Sequence, residues 1–360
     1  MIMTWGNNKE YQEELMEMCH LDISYEKLQN QRILITGANG LIASYLTDAL
    51  IKMNEVLRLN MRITALARSK EKARKRFADY LDQEDFELLV GDVCQQDLFK
   101  GHTWDYIVHA AGNAHPKAFA TQPVETMKAN LVGTMNILDY AVSQEVQNKV
   151  KKIVFLSSGE IYGETVMTSE TGWIEENIGM VDSMNIRACY PESKRAAETL
   201  CLSYYNEYSI CTIVARLSYI YGATVQEENM RADAQFLRNA LMGEDIVMKS
   251  EGKQLRSYCY VQDAVEGILL LMLEGKEGEA YNVANNDSNV TIRQYAECLA
   301  EVFGVGIRME LPDHIEKTGY SKMQCEVLDA TKLCEIGWKP KNGLRDGMRR
   351  MKNILKYIES

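Results

Sequence analysis

Apolar residues in the first two thirds of the chain fall in short unbroken runs separated by longer amphipathic stretches. Residues 32–36 (RILIT) are one such run, followed by an amphipathic stretch at 41–57. Residues 62–67 come next, then a charged helical stretch at 69–81. Further runs lie at 86–93, 105–111, 151–158 and 211–216, with helical stretches at 124–142 and 188–208. Runs that do not alternate with polar residues mark strands buried on both faces. Six of them alternating with helices predict a doubly wound α/β fold on a parallel sheet, with right-handed crossovers.

The rhythm changes after Gly222. Short strands at 281–284 and 307–311 mix with helices at 261–273, 291–303 and 344–357. This predicts a large domain over 31–222, rejoined by 255–285. A smaller C-terminal α/β lobe is built from 223–254 and 286–360. Residues 1–30 read as an extension, with helices at 10–19 and 24–28 that cover a surface or an oligomer contact.

Composition narrows the function. The 360 residues suit two domains, or one with a lobe, at about 150 residues per domain. The formal charge of −11 opposes binding to a phosphate backbone, so no nucleic-acid partner is expected. No apolar run reaches the ~18–20 residues of a membrane helix, and the N-terminus lacks the pattern of a secretory signal. Nine cysteines without a Cys-x-x-Cys pair are expected to be reduced thiols of a cytoplasmic protein. The five histidines show no metal-ligand spacing, so no metal is expected.

Three clusters carry chemistry. The first is Gly37-Ala38-Asn39-Gly40-Leu41-Ile42-Ala43, which follows a strand and opens a helix. There Gly37 permits a tight turn, and Gly40 lets the backbone approach a pyrophosphate at the helix N-terminus. The second gathers at later strand ends. The second strand ends in Ala67-Arg68 rather than in an acid, which tilts the choice between NAD and NADP toward NADP. Asp92 and Val93 are placed to meet an adenine, and Ala110, Ala111 and Gly112 leave room for a cofactor. The third cluster is Tyr190 and Lys194, four apart on one helix face, with Ser158 at the end of the fifth strand. An ammonium beside a phenol is expected to lower its pKa and make it a usable base.

In this order the motifs resemble the extended short-chain dehydrogenases/reductases, in their nucleotide-sugar epimerase/dehydratase branch. The matching pieces are GANGLIA, GDV, HAAG, Asn130-Leu131-Val132-Gly133-Thr134, SSGEIYG, YPESK, RLSYIYG and RSYCYVQD. The resemblance implies a Rossmann-type nucleotide domain with a substrate lobe and a homodimer through two long helices. It makes Tyr190 the base, with Lys194 holding Tyr190 and the nicotinamide ribose. It sets Ser158 on the reacting sugar hydroxyl and Asn130 at an active-site position. It also places Arg231 and Arg256 on the nucleotide diphosphate or the sugar. Departures are Ala43 for a third glycine, Ala67-Arg68 for the usual acid, and Ala223 for a proline.

Within the branch, Ser158-Gly159-Glu160 resembles the dehydratases and the UDP-glucuronate decarboxylases, in which the glutamate handles the C5 proton. The segment around Pro116, a candidate substrate contact, looks closest to the decarboxylases. Gly159 leaves no acid for a C6 hydroxyl, so a nucleotide hexose is expected to dehydrate poorly. The implied activity is modification of a nucleotide-diphosphate sugar through a transient 4-ketone, of decarboxylase/dehydratase type. Three alternatives stay open: a 4-epimerase, an NADPH-dependent carbonyl reductase and a non-catalytic NAD(P)-binding scaffold.

Overall fold

The first six strands build a single parallel sheet. They are β1 (Arg32–Thr36), β2 (Arg62–Ala67), β3 (Phe86–Val90), β4 (Tyr106–His109), β5 (Lys152–Ser158) and β6 (Thr212–Leu217). Their order is β3-β2-β1-β4-β5-β6, and every pairing is parallel. The order of strand addition reverses between β1 and β4, so the crevice at their C-terminal ends is where ligands meet such a sheet. The computed structural model describes residues 5–163, 172–226, 229–310 and 323–359.

After β6 the chain leaves this sheet through β7 (Tyr219–Tyr221), β8 (Ile246–Met248) and β9 (Leu255–Tyr260). It returns at β10 (Ala280–Val283), which pairs with β6 as a seventh strand. The last strands are β11 (Asn289–Thr291), β12 (Ile307–Met309) and β13 (Cys325–Glu326). β7, β11 and β13 all pair with β9, and β12 pairs with β8. Residues 219–221 fall within the expected 31–222 domain and residues 255–260 within its expected return, yet both stretches lie in the second sheet. Their short aromatic runs pair with each other, Tyr219 opposite Tyr258 and Tyr221 opposite Tyr260.

The helices are α1 (Lys9–Glu17), α2 (Leu41–Leu57), α3 (Lys70–Arg76), α4 (Pro116–Thr121), α5 (Pro123–Ser143), α6 (Cys189–Tyr208), α7 (Ala232–Leu241), α8 (Val261–Glu274) and α9 (Ile292–Phe303), before a short helix Thr331–Glu335 and a C-terminal helix Leu344–Glu359. Successive residues of β1 feed two cores. Ile33 and Ile35 face the cluster holding α2 and α8; Leu34 faces the one holding α5 and α6. That is why the run 32–36 does not alternate. The predicted helix at 69–81 stops at Arg76, and α4 and α7 were not foreseen. Predicted position 311 lies outside the described residues. No helix among those described is long and apolar enough to cross a membrane.

The N-terminal extension packs on its own chain. Asn8 caps α1, its Oδ1 accepting from Tyr11 N at 3.0 Å. The Tyr11 hydroxyl donates to Asp48 Oδ2 of α2 at 2.5 Å, and Asp48 also pairs with Arg76. Tyr260 donates to Glu14 Oε2 at 2.8 Å. The inner face of α1 is thus buried against α2 and β9.

Candidate active site

Every predicted site residue except Asn130 lines one cleft of about 930 Å³ at the C-terminal ends of β1, β2, β4 and β5. Asn130 lies behind its wall. It is fully buried in α5, and its Nδ2 donates to Ser193 Oγ at 2.9 Å. Its Oδ1 has no partner among the described residues, and a Cβ on Gly112 would stand 2.8 Å from it. Asn130 therefore packs beside Gly112 of the loop after β4 and is not among the residues that line the cleft.

The turn after β1 is built around a missing side chain. Gly37 has φ +66°, and a Cβ there would stand 2.8 Å from both Ala110 O and Ala111 Cα. Thr36 Oγ1 accepts from the amides of Ala110 and Ala111, each at 3.1 Å, and sits 2.8 Å from His109 Nδ1. Burial pushes the His109 imidazole down to about 3, so it is neutral and structural. Gly40 then opens α2 without a side-chain cap, leaving the first amides of the helix toward the cleft. Asn39 Oδ1 is buried there without a partner among the described residues. A helix N-terminus and a turn that leaves no room for a Cβ fit the diphosphate of a dinucleotide. Arg68 lies on the wall beside Ser69 and Lys72, its Nη2 donating to Asn113 Oδ1 at 3.1 Å. Asp92 Oδ1 already accepts from Cys94 N at 2.9 Å, which closes the turn after β3.

The catalytic candidates converge at the end of β5. Lys194 is buried in α6, and its Nζ donates to Leu156 O at 2.6 Å. Burial lowers this ammonium to about 8. Tyr190 stacks on Phe119 of α4 with centroids 4.5 Å apart. Its phenol departs from expectation. Burial pushes its pKa up and the charge of Glu160 adds to this, while a hydrogen bond with Ser158 pulls it down. Lys194 Nζ lies 6.0 Å from the Tyr190 ring centre and turns one N–H to a backbone carbonyl, so it does not supply the expected lowering. Ser158 Oγ accepts from Glu160 N at 3.2 Å and caps the turn that carries Glu160 into the cleft.

Sequence reasoning missed two residues here. Arg187, in the turn before α6, donates from Nη2 to Glu160 Oε1 at 2.9 Å, and the pair is largely buried. Glu160 is thus an ion-paired carboxyl of the cleft rather than a solvated one. Glu326, from β13, also lines the cleft and is the register partner of Arg256. Arg256 donates to Leu255 O and Met323 O, and Arg231 pairs with Asp233 at 3.2 Å. Nothing near 187 or 326 in the sequence marks either residue; only the fold brings them to β5.

Comparison with known proteins agrees with this geometry. The model of the NAD dependent epimerase/dehydratase family matches residues 33–284. A UDP-glucuronic acid decarboxylase from Arabidopsis thaliana (number 5) is 33% identical over 325 residues, covering 89% of this chain and 88% of that protein. Among solved structures, a dTDP-glucose 4,6-dehydratase double mutant from Streptomyces venezuelae superposes with a TM-score of 0.76 at 22% identity. That match covers 90% of this chain and 97% of the other. A UDP-glucuronic acid 4-epimerase from Bacillus cereus gives 0.75 at 18% identity, over 91% and 99% of the two chains. At those identities the two structures establish the shared fold. The family match, the decarboxylase relative and the dinucleotide cradle at β1 lead to one assignment: this chain is an NAD(P)-dependent enzyme of the NAD dependent epimerase/dehydratase family.

Proposed function

We propose that the chain modifies a nucleotide-diphosphate sugar through transient oxidation at C4, as an enzyme of decarboxylase/dehydratase type. The observation that carries this is the convergence of Ser158, Glu160, Tyr190 and Lys194 at the end of β5, beside the Gly37–Gly40 turn. The relative named a UDP-glucuronic acid decarboxylase supports the same reading.

When bound, the nicotinamide dinucleotide supplies a two-electron acceptor at the sugar carbon and a positive ring that favours the phenolate of Tyr190. Gly37, Asn39, Gly40, Leu41 and Ile42 hold its diphosphate end, and Ala110, Ala111 and Gly112 give it room. Arg68, with no acid beside it, favours the 2′-phosphate of NADP. Lys194 holds the ribose. Tyr190 takes the proton of the C4 hydroxyl while Ser158 donates to the oxygen that becomes the ketone. The ketone acidifies C5–H, and Glu160, anchored by Arg187, takes that proton. Pro116, Arg231 and Arg256 bound the sugar and diphosphate.

Two further features belong to this proposal. The nine cysteines are free thiols, which suits a reducing cytoplasm. α5 and α6 carry exposed Val124, Met127, Met135 and Leu202, which suits a homodimer through these helices. The experiment is incubation with UDP-, dTDP-, CDP- and GDP-sugars, followed by NMR of the products. Conversion of one of them without net cofactor consumption supports the reading. Bulk consumption of NADPH on a simple carbonyl compound, with every nucleotide sugar inert, overturns it.

A further inference from the structure

Gly159 and Glu326 share one volume. A Cβ on Gly159 would stand 2.9 Å from Glu326 Oε1 and 3.1 and 3.2 Å from the Leu328 methyl carbons. The position between Ser158 and Glu160 therefore lacks a side chain in a place already filled by a carboxyl from β13. Glu326 is 2% exposed, yet it lines the cleft. Its Oε2 and Arg256 Nε are 3.7 Å apart, and both are buried without a hydrogen-bond partner among the described residues. A buried carboxyl oxygen that makes no hydrogen bond at the wall of a cleft is a group that a ligand completes.

The groups facing Glu326 come from four elements. Arg256 stands on β9, Tyr219 on β7, Glu160 on the turn after β5 and Arg187 on the turn before α6. Burial raises the Glu326 carboxyl and Glu160 adds to it, against the pull of Arg256, the Tyr219 hydrogen bond and Arg187; the outcome is about 7. Glu160 instead has a direct ion pair with Arg187 at 2.9 Å. One cleft thus holds two carboxyls, Glu326 buried beside Arg256 and Glu160 ion-paired with Arg187.

Resting on the 4-ketone reading above, we propose that Glu326 is a second catalytic carboxyl, which holds the C6 hydroxyl of the sugar and protonates it as it leaves. On a sugar 4-ketone the C6 hydroxyl is β to the carbonyl. The C5 proton passes to the Glu160 carboxylate, and the C5–H electron pair becomes the C5=C6 bond. The C6–O bond breaks, and its oxygen departs as water with the Glu326 proton. The two electrons lost at C4 are regained at C6 and a proton returns to C5. The net reaction is loss of one water, with the nicotinamide dinucleotide regained. The substrate class is then a nucleotide hexose with a free 6-hydroxyl. A C6 carboxylate would face two carboxyls, Glu160 and Glu326, on the same wall of the cleft. Glu326 thereby fills the role that Gly159 leaves vacant.

The test compares wild type, Glu326→Gln and Glu326→Asp on UDP- and dTDP-hexoses and on UDP-glucuronic acid. Wild type is expected to give a 6-methyl signal by proton NMR from a hexose and no CO₂ from the uronic acid. Its kcat/KM should fall as pH rises through about 7, because the acid must be protonated. Glu326→Gln should lose about 10²–10⁴-fold in the 6-methyl product yet still show reduced cofactor at 340 nm, and Glu326→Asp should recover part of the loss. Release of CO₂ from the uronic acid at the same rate in wild type and Glu326→Gln overturns the proposal while the 4-ketone reading stands. If no nucleotide sugar reduces the cofactor, that reading falls and this one with it. Should Glu326→Gln not fold, the wild-type product alone decides: CO₂ without any 6-methyl product overturns the proposal.

Discussion

Arg187 and Glu160 tie the turn after β5 to the turn that leads into α6, through an Nη2–Oε1 contact of 2.9 Å. Glu160 Oε2 is left buried and without a partner among the described residues. One oxygen is anchored, and the other is free to take a proton. Glu160→Gln should keep the arginine contact through its amide oxygen but cannot act as a base. Oxidation at C4 should then continue, and reduced cofactor should build up at 340 nm. A variant that turns over normally would make Glu160 a bystander.

Tyr190→Phe keeps the ring stacked on Phe119 and removes only the hydroxyl. Turnover should fall by about 10²–10⁴-fold, the usual cost of losing a general base. Cofactor affinity, measured by fluorescence titration, should stay close to wild type. Near-normal turnover would remove Tyr190 from the mechanism.

Arg68→Ala should weaken NADP by about 1.5–3 kcal/mol, the value of a hydrogen bond to a charged group, and NAD much less. The comparison is a pair of binding isotherms. Equal effects on both cofactors would place Arg68 outside the 2′-phosphate contact and leave it only its bond to Asn113.

Burial pushes the Glu14 carboxyl up to about 7, against the hydrogen bond from Tyr260, the neighbouring Tyr45 hydroxyl and the charge of Arg350. In the unfolded chain it titrates near 4.5. The folded form thus holds the proton between those values, and stability falls as pH rises from about 4.5 to 7. The part due to Glu14 is on the order of 3 kcal/mol. Urea unfolding of wild type and Glu14→Gln from pH 5 to 8 should show a shallower decline in the variant. Parallel curves would contradict this.

The first six strands were legible because each is buried on both faces and so reads as an apolar run. Gly37, Ser158, Tyr190 and Lys194 were legible because turns, strand ends and helical spacing fix them locally. Arg187 and Glu326 were not, since a charged residue in a loop or a two-residue strand has no periodicity to betray its direction. The environment of Tyr190 was also hidden. Spacing puts Lys194 on the same helix face, but only the packing shows its ammonium turned to Leu156 O. The second sheet escaped for a related reason. β7 and β13 have three and two residues, too few for a pattern.

Transient oxidation at C4 is the step on which every proposed residue role depends. Stopped-flow absorbance at 340 nm, with a reactive nucleotide sugar carrying deuterium at C4, measures it. The predicted result is a transient rise slowed by the deuterium, returning to baseline as product forms. A flat trace with every nucleotide sugar, or steady consumption of NADPH in proportion to product, would contradict it.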